Sequence, residues 1–165
     1  MKEVFSKQSK ETRCYIMSAV MVFEGFNGVD DMTEIRGEML LDVLGLTKEE
    51  IERFPMPSYA QLIAHLKLIS NPEVRDWVIT NTYSPVLKSR RNDALHDFRT
   101  FCDDLGWNKK EIKDSLDLIE EIEGIKPIDN GAKLGSHNNS SSGTGCLSVI
   151  MIVIVSTIIC SFVLI

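Results

Sequence analysis

Charge is missing from the end of this chain: from residue 130 to residue 165 the only charged side chain is Lys133. A basic excess is missing as well, with 18 Lys and Arg against 24 Asp and Glu and a net charge of −6. A surface of that balance argues against nucleic acid as the main partner, because phosphate binding needs clustered cations to release counterions. Cysteine is scarce, at positions 14, 102, 146 and 160, and makes no Cys-x-x-Cys pair. That excludes a disulfide-built scaffold and suits a reducing compartment, in which thiols pack as small hydrophobes. No stretch of strand length alternates apolar and polar residues, so a sheet is not expected. The first residues, Met1 to Glu11, have charge but no apolar run of secretory type, and the N-terminal part is expected to face the cytoplasm.

What the chain does have is a three-part organisation. Residues 1–126 are charged and read as one all-α domain. Residues 127–145 are rich in Gly, Ser and Asn and cannot bury enough apolar surface to offset their ordering entropy, so they read as a flexible linker. Residues 146–165 are twenty uncharged positions without Gly or Pro. As a helix they would span about 30 Å, the thickness of the hydrocarbon core of a bilayer. Four hydroxyl residues do not spoil this reading, since a helical Ser or Thr can bond back to a carbonyl one turn earlier. The expectation is a single-pass tail anchor in contact with membrane lipid.

Within 1–126 the punctuation predicts about seven helices, most of them short. Residues 9–26 and 32–44 carry apolar residues at helical spacing, the second with Ile35, Met39, Leu40, Val43 and Leu44 on one face. Thr47 with Glu50, and Ser58 with Gln61, are capping boxes. Asn71-Pro72 opens a helix over 73–83 that Pro85 should interrupt. A further helix is predicted over 89–105, with Leu95, Phe98, Phe101, Cys102 and Leu105 inward. The last starts after Asn108 and turns Ile112, Leu116, Ile119 and Ile122 inward until Gly124 ends it. Trp77 and Trp107 read as core residues.

One segment is echoed. Leu44-Gly45-Leu46-Thr47-Lys48-Glu49-Glu50-Ile51 is matched 61 residues later by Leu105-Gly106-Trp107-Asn108-Lys109-Lys110-Glu111-Ile112. A helix stop followed by a helix start is common grammar, but with long helices before both copies it suggests two related halves. That would place Leu44 and Leu105 at equivalent buried positions against the helix that carries Trp77 and Ile79.

The run Phe23-Glu24-Gly25-Phe26-Asn27-Gly28-Val29-Asp30-Asp31-Met32-Thr33-Glu34, followed by Met39-Leu40 and Leu44-Gly45-Leu46, resembles the TerB-like family, the tellurite-resistance helical domain. Asn71-Pro72-Glu73-Val74-Arg75 resembles the polar start of that family's central helix. The resemblance covers roughly residues 9–123. It implies a seven-helix all-α fold, an interaction or metal-responsive role and association with membranes. Asn27 stands where the family has Asp, while Gly28, Asp30 and Glu34 fit. The positions 61 residues on are Lys88, Ser89, Arg91 and Leu95, so the second acidic motif has become basic.

Two site readings follow from the residues. Asn27, Asp30, Asp31 and Glu34 gather three carboxylates and an amide at a Gly turn. They either cap the next helix and complement its dipole or hold a divalent cation. Lys88, Arg90 and Arg91 are either a solvated helix start or a contact with anionic lipid at the membrane surface. Cys14 and Cys102 lie on apolar faces, and His65 and His96 lack zinc-ligand spacing. With no phosphate loop and no Ser-His-Asp order, no catalytic residue is nominated. The function expected is a non-catalytic, membrane-tethered helical module that recruits an unidentified protein partner, without an obligatory cofactor. The alternative is a divalent-cation sensor at the membrane.

Overall fold

Side-chain oxygens set where the helices start. In the computed structural model, which describes residues 1–27 and 31–127 (backbone alone at 27 and 31–34), Ser9 accepts from the Thr12 N–H at 3.0 Å. Thr47 and Glu50 close a reciprocal capping box, as do Ser58 and Gln61. Asn71 accepts from the N–H groups of Glu73 and Val74, and Asn108 from that of Lys110. Each satisfies donors that a helix leaves without intrahelical acceptors.

The described residues form α1 (Lys2–Ser6), α2 (Lys10–Glu24), a 3-10 turn (Gly25–Asn27), α3 (Asp31–Leu44), α4 (Lys48–Arg53), α5 (Tyr59–Leu66), α6 (Pro72–Ser89), α7 (Asn92–Leu105) and α8 (Lys109–Glu123). The all-α expectation is met, with eight α-helices and no strand among the described residues. The eighth is α1, absent from the sequence reading. It is only five residues long, too short for periodicity to reveal, and Phe5 is its one fully buried side chain, with Val4 partly buried and Lys2 paired with Asp42. Phe5 meets Trp77 edge-on at 5.0 Å between ring centroids.

The centre of the fold is the pair α2 and α6. Helix α5 packs on α2, α7 and α8 pack on α6, and α3 packs on α1 and α2. An aromatic cluster ties the centre together. Tyr83 stacks on Phe98 at 4.9 Å, and Phe23 lies 5.0 Å from Phe101 and 5.7 Å from Phe98. Such ring pairs add to the stability that their burial already brings.

Pro85 does not interrupt its helix. Residues 82–87 are all buried, so this stretch of α6 is enclosed on every side and the helix runs through the proline to Ser89. Packing around a central helix offsets the ~3 kcal/mol that an interior proline costs in isolation. The break comes five residues later, at Arg90, whose backbone adopts the left-handed conformation with φ 53°. Helix α7 therefore starts at Asn92 rather than at Ser89.

Three apolar residues predicted inward are exposed: Ile35 by 51%, Met39 by 65% and Ile122 by 73%. Leu40, Leu44 and Ile119 carry the buried face instead, with Val43, Ile112 and Leu116 partly buried. Trp107 is buried, whereas Trp77 is half-buried at the core's edge.

Displaced by 61 residues, Asp31–Leu44 falls on Asn92–Leu105, and the cap Thr47 falls on the cap Asn108. Gly45 and Gly106 end the two helices with φ of 62° and 63°, a conformation that costs a residue with a Cβ about 1 kcal/mol or more. Leu44 and Leu105 are both buried, as expected. Their surroundings differ, however, because α7 packs on α6 while α3 packs chiefly on α1 and α2. Arg13 adds to the difference, since its Nη1 donates to the carbonyls of Leu44 at 2.7 Å and Gly45 at 2.8 Å.

Candidate functional site

The cation reading of Asn27, Asp30, Asp31 and Glu34 lies outside what the structure describes, since Asp30 is among residues 28–30 and the other three side chains are not described. Among the described residues no group of three His, Cys, Asp or Glu side chains is placed to hold a metal. Residues 146–165 and the linker beyond Pro127 also lie outside the described residues. Among those described, no helix is long and apolar enough to cross a membrane.

Lys88, Arg90 and Arg91 are brought together by the end of α6 and the start of α7, but not as three equal cations. Lys88 Nζ lies 2.8 Å from Glu123 Oε1, and Arg91 pairs with Asp93 while lying 5.4 Å above the Phe26 ring. Arg90 is exposed, and among the described residues it forms no ion pair. Arg90 and Arg91 line one small crevice together with Leu95, Lys126 and Pro127. The last described residues thus lie against the cationic corner, and Lys126 joins a cluster in which the sequence reading did not include it.

Four carboxylates near these cations and near the α4 cap, Glu49, Glu50, Asp93 and Glu123, have lowered pKa values. The hydrogen bond from Arg91 lowers Asp93, and those from Lys10 and from the Thr47 backbone lower Glu50. Burial alone would raise Glu123, but hydrogen bonds from Lys88 and Ser84 and the charges of Lys88 and Arg36 outweigh it and its pKa is lowered. A carboxylate whose folded pKa lies below its unfolded value contributes stability fully above the unfolded value, and loses it as pH falls through the folded one. The urea midpoint of the chain should therefore be flat from about pH 7 to 5 and fall below about pH 4.5. A midpoint unchanged down to pH 3 would show that the loss from these pairs does not exceed the opposite contribution of Asp97, whose pKa burial raises.

A second polar line crosses the interior. Glu24, only 8% exposed, pairs with Arg36 at 2.7 Å. Tyr83 donates to Glu120 at 2.8 Å, and Ser84 donates to Glu123 at 2.8 Å. These bonds join α2 to α3 and α6 to α8, and burial together with the acceptor carboxylate raises the Tyr83 pKa. Nothing in the sequence marked them, since carboxylates on α8 read as a solvated face.

A groove of about 320 Å³ lies between the first halves of α6 and α8. Ile79, Trp107, Ile112 and Leu118 make its walls apolar, and Asp76, Glu111 and Asp114 stand at its rim. The one cation there is already engaged. Arg75 donates through Nε to the Ile69 carbonyl at 2.6 Å and lies 5.6 Å from the centre of the Trp107 ring. The indole N–H of Trp107 is buried without an acceptor among the described residues, a defect that typically costs ~1–3 kcal/mol. Leu118 and Ile122, 53% and 73% exposed, continue the apolar strip along α8. The sequence did hold a signal for this strip, since residues 118 and 122 repeat at helical spacing beside the inward stripe of 112, 116 and 119.

The remaining candidates are structural. Cys14 is buried, and burial, followed by the nearby Glu50 charge, raises its pKa. Burial pushes the Cys102 thiol up to about 12. A thiol so raised is protonated at neutral pH and a poor nucleophile. His65 packs its ring edge-on against Tyr15 at 3.8 Å and lies 3.7 Å from Glu11. Compared with known proteins, the chain matches no family model, no curated protein and no solved structure.

Proposed function

We propose that this protein is a non-catalytic, membrane-tethered helical module of TerB-like type that recruits a protein partner to a membrane, its helical body on the cytoplasmic side. The observation that carries the reading is where the body ends. Pro127 lies in a crevice with Arg90, Arg91 and Lys126, and beyond it the sequence runs through the uncharged linker into twenty apolar residues. Cations at the point where the tail departs would meet anionic headgroups, each worth about 1 kcal/mol when close to the surface. Nineteen residues of Gly/Ser/Asn-rich linker give a reach of ~20–25 Å. The coincidence of helix ends at a displacement of 61 residues supports the two-halved, TerB-like part of the reading. The raised thiols support a binding role over a catalytic one.

Deleting residues 146–165 should move the protein from the membrane pellet to the supernatant on fractionation. A truncated chain that still pellets after a high-salt wash sinks the anchor.

A further inference from the structure

We propose that the groove between α6 and α8 seats a basic amphipathic helix of the recruited partner. The proposal rests on the interaction-module reading and specifies its docking surface and the chemistry that fits it. Helix-in-groove recognition needs an apolar trough and a matching apolar strip at helical spacing. The trough is lined by Ile79, Trp107, Ile112 and Leu118, and the strip runs on through exposed Leu118 and Ile122, four residues apart on α8.

Charge selects the occupant. Asp76, Glu111 and Asp114 rim the groove, and Asp117 and Glu121 follow on α8. Lys113 pairs with Asp117, and Arg75, held over Trp107 by its bond to Ile69, also lies 3.9 Å from Glu111, so the excess at the groove rests on Asp76, Asp114 and Glu121. Lys and Arg flanking the partner's apolar stripe would meet these carboxylates. An acidic peptide or an anionic lipid would be repelled by them.

The test uses the full chain in phosphatidylcholine nanodiscs and two fluorescently labelled 14-residue amphipathic peptides. One has leucines at helical spacing among lysines, and the other replaces each lysine by glutamate. The lysine peptide is expected to bind at least tenfold more tightly than the glutamate peptide, after subtraction of binding to empty nanodiscs. The exposed double variant Leu118→Ser/Ile122→Ser should weaken it at least tenfold, while Ile35→Ser/Met39→Ser on α3 should leave it unchanged. Equal binding of both peptides, or binding indifferent to the α8 variant, overturns the proposal. Binding lost through the α3 variant instead puts the partner surface elsewhere, which removes this groove and leaves the interaction module standing. No binding of either peptide overturns the proposal and leaves the anchor to the fractionation result. If only added phosphatidylglycerol competes at the α8 residues, the groove belongs to lipid and the proposal is wrong.

Discussion

Phe98→Ala should destabilise the protein by about 3–5 kcal/mol, while Gly37→Ala, at the position 61 residues earlier, should stabilise it by up to about 1 kcal/mol. The opposite signs come from one register. Helices α3 and α7 coincide end for end under the displacement, so Gly37 and Phe98 occupy the same place in their helices. Phe98 is 1% exposed, with Tyr83 stacked at 4.9 Å and Phe23 and Phe101 at 5.7 and 6.4 Å. Truncating it loses the transfer energy of the ring and leaves a cavity among rigid rings that cannot collapse to fill it. A Cβ added at Gly37 would meet nothing within 4 Å. There the methyl simply restricts the unfolded chain and improves helix propensity. Urea unfolding of the full chain in neutral detergent, followed by far-UV circular dichroism, gives both numbers. A Phe98→Ala shift below about 0.5 kcal/mol, the usual surface value, would remove the aromatic cluster from the core.

Leu44→Ala and Leu105→Ala should each cost ~2–5 kcal/mol, a large part of the ~5–15 kcal/mol expected for a domain of this size. Leu44 is fully buried and Leu105 is 2% exposed. Each is the last helical residue before a glycine with left-handed φ, so each anchors the point at which its helix turns back. Glu121 is exposed, and Glu121→Ala should change stability by no more than about 0.5 kcal/mol. The cavity cost depends on how far the neighbours can relax. Leu105 sits on a helix packed on α6, and Leu44 on one packed on α1 and α2. Similar losses would fit two halves bearing equal weight. A small loss at Leu44 alone would show that the short helix α1 gives way around it.

Much of the fold was legible from punctuation. Asn71, Asn108, Thr47 and Ser58 were read as helix starts and cap helices through the bonds their types suggest. Gly45 and Gly124 were read as stops and adopt the left-handed φ that a stop needs. These features are local, decided by groups within four residues, so sequence suffices for them. Pro85, Arg90 and α1 were misread or missed because their outcome depends on distant residues. Pro85 lies in a helix because its neighbours 82–87 are enclosed by other helices. Helix α1 is held by contacts far along the chain, Phe5 with Trp77, 72 positions away, and Lys2 with Asp42.

The site divides the same way. Sequence alone determined the charged body, the uncharged joint and the apolar run of 146–165, because composition and length answer those questions without knowledge of any contact. It also identified Lys88, Arg90 and Arg91 as the basic cluster, since they are neighbours in the chain. Only the tertiary structure decided that Lys88 and Arg91 are paired with Glu123 and Asp93, and that Lys126 lies with Arg90 in one crevice. It alone set Ile35, Met39 and Ile122 outside the core that their spacing seemed to fit, and joined Ile79, Trp107 and Leu118 around one groove. Helical spacing fixes which residues share a face. Which of two apolar faces a helix buries is settled by the helices that pack against it, and that information is spread over the whole chain.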